Sequence, residues 1–349
     1  MKHRITRWIL PCLTAAALML LIGQEPASAY PLRTPSLPGM GQLFQAVSKP
    51  DAQAAGEEAQ PDEDGEASNK AGISQKTIIK EKTKPEGELS GPEILANAQL
   101  ISHAMGAIDG LTLLNCLESF QAQYEAGIRV FEVDLRLTRD VKMVLRHDWR
   151  GNWQPGINDA SIPTREQFLS EKILEKYTPL SFRDLLLLME QYPDICIITD
   201  TKFTEPDVYM IEFDSMAADA KELGLSYLFD RIIIQVYSKN MFTALNNAHH
   251  FPHYIYTLYN EGFAQTTAAF RDRALFCSQR GINGITMWDY WWNPSYEAIA
   301  EEYGVHVYVH TVNDVEQSKK LFSSGIDAIY TDSMVPSSFA PLSPDANAE

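Results

Sequence analysis

Alternation of apolar and polar positions dominates the chain from about residue 91 onward. Short apolar runs fall at Ala98–His103, Val130–Leu137, Ile195–Asp200, Ile232–Val236, Tyr254–Leu258, Gly284–Met287, Val305–Thr311 and Ala328–Thr331. Each is four to eight residues long, the length of a strand. Between most of them lie stretches with helical spacing: Cys116–Glu125, Phe182–Gln191, Asp207–Leu223, Lys239–Asn247, Gln265–Cys277, Pro294–Tyr303 and Val315–Ser323. One extra strand is expected at Lys142–Arg146. Eight strands with intervening helices over about 250 residues predict an α/β chain folded as a (β/α)8 TIM barrel. The competing doubly wound sheet would carry a Gly-rich phosphate turn after its first strand, and this chain has none.

The residues before and after the barrel read differently. Met1–Ala29 has a basic start (Lys2, Arg4, Arg7), an apolar run from Trp8 to Gly23 and the small residues Ala27-Ser28-Ala29. It reads as a signal peptide cleaved after Ala29, with an uncleaved anchor as the alternative. Residues 30–90 are rich in Pro, Ala, Gln and acids and read as a disordered linker. Residues 91–338 form the barrel and 339–349 a flexible tail. The expected location is therefore secreted or associated with the cell envelope. A net charge of −17 over 349 residues argues against nucleic acid as an electrostatic partner. Peripheral membrane contact stays open, and a monomer is expected. Beyond the signal, Cys116, Cys196 and Cys277 allow one disulfide at most.

Candidate chemistry collects at one end of the predicted barrel. Active sites of this architecture lie at the C-terminal ends of the strands. There the runs deliver His103, Glu132 and Asp134, then Asp200 and Lys202, Gln235, Tyr256 and Tyr259, Trp288 and His310, with His147 after the extra strand. Glu132 and Asp134 are two apart on a strand and project to the same side. Two acids side by side are costly unless a positive group sits between them, and a divalent cation would be such a group. Imidazoles titrate near neutral pH, so His103 and His147 suit proton transfer in a phosphoryl-transfer reaction. Taken singly, each residue has a plain structural reading. Glu132 and Asp134 could pair with Arg129 or Arg136, Asp200 with Lys202, and Asn115 could cap the next helix. The tryptophans of Met287–Trp292 could be rim packing. His249, His250 and His253 precede the fifth strand and read as loop residues.

The motifs resemble the glycerophosphodiester phosphodiesterase family, within the wider group that includes phosphatidylinositol-specific phospholipase C. The family's opening His-Arg-Gly is similar to His103-Ala104-Met105-Gly106, and its Glu-Asn-Thr to Leu114-Asn115-Cys116. Its Glu-x-Asp, Thr-Lys-Asp-Gly and His-Asp are similar to Glu132-Val133-Asp134, Thr138-Arg139-Asp140-Val141 and His147-Asp148. Its Glu-x-Lys resembles Asp200-Thr201-Lys202, and Pro179-Leu180-Ser181, Thr311-Val312-Asn313 and Gly325–Asp332 also match. The departures are Ala104, Met105, Leu114, Val141 and His310, where the family has Arg, Gly, Glu, Gly and Trp. The Asp-x-Lys form also resembles spider-venom phospholipase D.

The resemblance implies a metal-dependent phosphoric diester hydrolase acting on glycerophosphodiesters or related phospholipid head groups. Glu132, Asp134 and Asp200 would hold one Mg²⁺ or Ca²⁺. His103 and His147 would be the general base and acid. Lys202, Asn115, Gln235, Tyr256, Trp288 and His310 would contact a small phosphodiester. Attack by a hydroxyl of the substrate itself or by water both remain open. Two other readings are a phospholipase C- or D-like activity on intact lipids and a non-catalytic barrel that binds phosphodiesters at the cell surface.

Overall fold

A computed structural model describes residues 80–150 and 153–340. The signal segment, most of the linker and the end of the tail lie outside the described residues. In chain order the elements are α1 (Gly91–Ala96), β1 (Leu100–Ser102), α2 (Leu117–Glu125), β2 (Val130–Leu137), β3 (Met143–Leu145), α3 (Arg165–Ser170) and α4 (Phe182–Gln191). There follow β4 (Cys196–Asp200), α5 (Pro206–Leu223), β5 (Ile232–Val236), α6 (Lys239–His249), β6 (Tyr254–Thr257) and α7 (Thr267–Arg280). The chain continues through β7 (Gly284–Trp288), α8 (Glu297–Tyr303), β8 (His306–His310), α9 (Val315–Phe322) and β9 (Ala328–Thr331). All strands except β3 are parallel. The ring closes because β1 pairs with β9 on one side and β2 on the other. β3 folds back antiparallel on β2, with Leu135 opposite Leu145. The fold is the predicted (β/α)8 barrel.

Alternation along the strands sorts their side chains. Ile101, Val130, Cys196, Ile198, Ile233, Ile255, Tyr308, Ala328 and Tyr330 fill the barrel interior, and Ile94 and Leu95 of α1 join them. That short helix plugs the N-terminal end. Gly284 has to be glycine for this filling, since a Cβ there would lie 2.4 Å from the Tyr308 ring. Outward-facing residues such as Phe131, Ile197, Ile234 and Met287 meet the helices in the larger core. With one end sealed by apolar packing, the opposite end is left to polar residues.

Below the plug, part of the stretch expected as linker lies against the barrel. Lys84 pairs with Asp230 at 2.6 Å, Glu88 with Arg231 at 3.3 Å, and the Lys82 amide donates to the Gly224 carbonyl at 2.9 Å. The three cysteines are buried and free. Among the described residues, no helix is long and apolar enough to cross a membrane.

One buried carboxyl gives a pH-dependent stability. Glu212 on α5 is 0 % exposed, and neither oxygen has a hydrogen-bond partner. Burial lifts its pKa well above the ordinary 4.5, against a weaker opposing pull from the Arg136 charge. The folded chain keeps this carboxyl protonated where the unfolded chain would ionise it. Its contribution is therefore whole below pH 4.5 and is lost as pH rises toward the folded value. The loss runs at about 1.4 kcal/mol per pH unit over that window. Glu212→Gln, neutral at every pH, should leave Tm nearly unchanged at pH 4.5 and raise it at pH 8, by about 2–4 °C for each kcal/mol that the native chain has lost. Thermal melts at the two pH values check this. A Tm difference that does not grow with pH would mean that Glu212 is ionised in the fold.

Candidate active site

At the C-terminal end of the barrel, β2 and β4 run side by side with Asp134 opposite Asp200. Glu132, Asp134 and Asp200 each offer an oxygen, and these atoms lie within 4.8 Å of one another. All three residues are buried, at 2 %, 0 % and 7 % exposure. Neither Arg129 nor Arg136 serves as their partner. Arg129 pairs with Asp194 at 2.7 Å, and Arg136 donates to the His147 carbonyl at 2.9 Å.

The charge balance of the cluster is uneven. Lys202 pairs with Asp134 and, at 2.8 Å, with Asp200. Burial would raise the Asp134 pKa, but Lys202, His147 and His103 hold it well below the usual carboxylate range. Glu132 goes the other way, pushed up by burial and by the Asp134 charge. Its Oε2 accepts from the Ala104 amide at 2.7 Å, while Oε1 is buried without a partner. Three acid side chains thus share one lysine, and one buried carboxyl oxygen is orphaned. That donor set fits a hard divalent cation, which takes oxygen ligands.

The two histidines flank this cluster, each tied by a carboxylate. His103 Nδ1 meets Asp332 Oδ1 at 2.8 Å, and its Nε2 stands 4.0 Å from Glu132. Asn313 orients that aspartate from the far side by donating to Oδ2 at 2.7 Å. His147 Nδ1 meets Asp148 Oδ2 at 2.9 Å, and the Arg150 amide fixes the other carboxylate oxygen at 2.7 Å. Burial alone would lower the His103 pKa. The Asp332 hydrogen bond and the charges of Glu132, Asp332 and Asp134 outweigh it and raise the value to about 9. The turn bearing His103 is tight: Ala104 and Met105 take φ of 49° and 64°, the left-handed region that glycine favours.

Other residues expected at the site divide into three groups. Trp288 and His310 come together at adjacent strand ends, ring centroids 4.5 Å apart, with Tyr259 5.8 Å and 5.4 Å from them. Burial and the His103 charge push the His310 pKa down to about 3. Asn115 and Gln235 are present but already engaged. Asn115 brackets Asp134, donating to Oδ2 at 2.8 Å and accepting from its amide at 3.0 Å, and the helix cap falls on Cys116 instead. Gln235 donates to Asp200 Oδ1 at 3.1 Å. Tyr256 does not reach the site. Its neighbour Ile255 faces the barrel interior, so the Tyr256 ring turns out to Phe276 and its hydroxyl to Glu261 at 2.8 Å.

Tyr259 takes that place, donating to Asp200 Oδ1 at 2.9 Å. Of the aromatic run, Trp291 packs on Phe263 and Trp292 bonds Ser324, which leaves Tyr290 exposed beside Trp288. His249 and His253 pair with Asp214 and Asp230, away from the site. Tyr237, Asp332 and Asn313 are residues the sequence reading left out of the site. Each had a signal: Tyr237 lies two positions beyond the inward-facing Gln235, and Asn313 and Asp332 stand in the segments Thr311–Asn313 and Gly325–Asp332 that match the family.

Comparison with known proteins agrees with this geometry. The sequence model of the glycerophosphoryl diester phosphodiesterase family matches residues 109–335, beginning just after the His103 turn. Among curated proteins, no sequence matches. Similar solved structures include a glycerophosphoryl diester phosphodiesterase of Silicibacter pomeroyi (16 % identity, TM-score 0.56, covering 68 % of this chain and 90 % of that one). A phosphodiesterase of Oleispira antarctica, in complex with the product sn-glycerol-3-phosphate, gives 16 % identity and a TM-score of 0.55, covering 67 % and 93 %. A glycerophosphodiester phosphodiesterase of Galdieria sulphuraria gives 17 % and 0.55 over the same shares. At these identities the structures bear on the fold, and the family match extends over well more than half of the chain. The chain belongs to the glycerophosphoryl diester phosphodiesterase family and is a phosphoric diester hydrolase.

Proposed function

We propose that this protein is a metal-dependent glycerophosphodiester phosphodiesterase in which His103 and His147 carry the protons. One observation supports this most directly: two imidazoles, each with Nδ1 fixed by an aspartate, flank a buried cluster of three carboxylates. An imidazole whose Nδ1 is held by a carboxylate has Nε2 left for the reacting group. One histidine takes the proton from the attacking hydroxyl and the other gives a proton to the leaving alcohol oxygen. Lys202 sits where its ammonium can offset charge on the phosphate oxygens. Glu132, Asp134 and Asp200 would hold Mg²⁺ or Ca²⁺, and a bound cation supplies Lewis-acid stabilisation of the phosphate. The family name and the glycerol phosphate held by the Oleispira relative support a glycerophosphodiester as substrate. The signal-like start supports action outside the cytoplasm.

A second reading, cleavage of intact lipids, is favoured by exposed apolar side chains on the loops beyond the strand ends. Tyr290, Leu174 and Leu111 are 69 %, 40 % and 38 % exposed. One assay separates the two. The full chain is tested with Mg²⁺, Ca²⁺ or EDTA against glycerophosphocholine, glycerophosphoinositol, lysophosphatidylcholine and phosphatidylinositol vesicles. Metal-dependent turnover of the soluble diesters supports the first reading. Turnover confined to lysolipid and vesicles moves the assignment to the second. Bound metal without turnover of any substrate removes both.

A further inference from the structure

The most heavily bonded atom in the site is one carboxylate oxygen. Asp200 Oδ1 receives Gln235 Nε2 at 3.1 Å, the Tyr259 hydroxyl at 2.9 Å and the Tyr237 hydroxyl. The other oxygen, Oδ2, is left to Lys202 at 2.8 Å. Held in this way, the carboxylate has both oxygens engaged and a fixed orientation beside Glu132 and Asp134.

Tyr237 and Tyr259 differ in what else they touch. A phenol has one proton to donate and lone pairs to accept. Tyr259 donates to Asp200, and the Lys202 amide goes to Tyr237 instead. Tyr237, 1 % exposed, also accepts from the backbone amide of Lys202 at 2.7 Å. Lys202 has φ of 67°, a left-handed conformation uncommon for a residue with a Cβ. A backbone held there needs its surroundings to fix it. The Tyr237 hydroxyl closes that turn and satisfies its amide, and the same turn sets where the Lys202 ammonium starts from.

We propose that Tyr237 is a positioning residue that couples the metal-ligand carboxylate Asp200 to the phosphate-facing Lys202 through one hydroxyl. The inference rests on the hydrolase reading of the site. Removing the Tyr237 hydroxyl therefore disturbs two functions, whereas removing that of Tyr259 disturbs one.

Paired substitutions in the full chain test this by calorimetric titration, with Mg²⁺ or Ca²⁺ and then inorganic phosphate as probes. Tyr237→Phe and Tyr259→Phe should each weaken cation binding by about tenfold, the loss expected for one hydrogen bond to a charged group. At saturating cation, Tyr237→Phe alone should weaken phosphate binding, again by about tenfold. In a Lys202→Ala background that second loss should vanish, since its route has been removed. The proposal is overturned if the two phenylalanine variants bind phosphate equally well, or if the Tyr237→Phe loss survives without Lys202.

Should Tyr237→Phe fail to fold, 3-fluorotyrosine at position 237 keeps the hydroxyl but makes it a stronger donor and a poorer acceptor. Phosphate binding should then weaken without loss of cation binding, and unchanged phosphate binding overturns the proposal. Absence of turnover by the native chain would remove the hydrolase reading separately, because both titrations are read without catalysis.

Discussion

Replacing His103 or His147 by alanine should lower kcat for a glycerophosphodiester by about 10²–10⁴-fold, the range supplied by a positioned general acid or base. The fold should survive, because both rings are partly exposed at the open end of the barrel and neither belongs to a core cluster. Cation binding separates their role from a structural one. Neither histidine supplies an oxygen to the acidic cluster, so both variants should still bind Mg²⁺ or Ca²⁺. Rate measurements at saturating metal, with calorimetry on the same samples, check the pair of statements. Full activity in either variant would remove that histidine from the proton-transfer scheme. Loss of folding in both would reassign the dyads to structure.

Asp134→Asn should have the second largest effect, and of a different kind. Asp134 is fully buried and is held by Lys202 and by both ends of the Asn115 amide. An amide in its place keeps the shape, removes the charge and sets a new donor against either Lys202 or Asn115. Even residues that merely support metal ligands typically cost 10–100-fold in affinity when changed. Cation affinity should therefore fall by at least about 10²-fold, with turnover falling in step at fixed metal. Lys202 would also lose one of its two carboxylates. A buried charge left short of partners costs roughly 1–3 kcal/mol, so Tm should drop by several degrees. Unchanged cation affinity would take Asp134 out of the ligand set.

The barrel was legible because its strands are short, apolar and regularly spaced, and the predicted run at residues 232–236 matches the observed strand. The first strand shows where pattern stops helping. The apolar run reaches His103, but the strand ends at Ser102 because Ala104 and Met105 turn left-handed with no glycine to announce it. Two short helices, α1 and α3, also escaped notice, since six residues show less than two turns of periodicity. Within the candidate site, residue type and strand-end position were enough to anticipate that the acids, both histidines and Lys202 lie together. Pairings were not legible. Alternation says that Tyr256 and Ile255 face opposite sides but not which faces inward, and the registration that settles this is a property of the closed ring.

The supports of the two histidines lie at very different distances along the chain. Asp148 directly follows His147, so that dyad can form within a single loop. His103 waits for Asp332, 229 positions later, and the two meet only through the pairing of β1 with β9. That pairing is the seam of the barrel. During synthesis, a chain released before the last strand would carry all three acids, Lys202 and one oriented histidine, yet lack the other. On the proposed scheme, hydrolysis would begin only once the ring has closed.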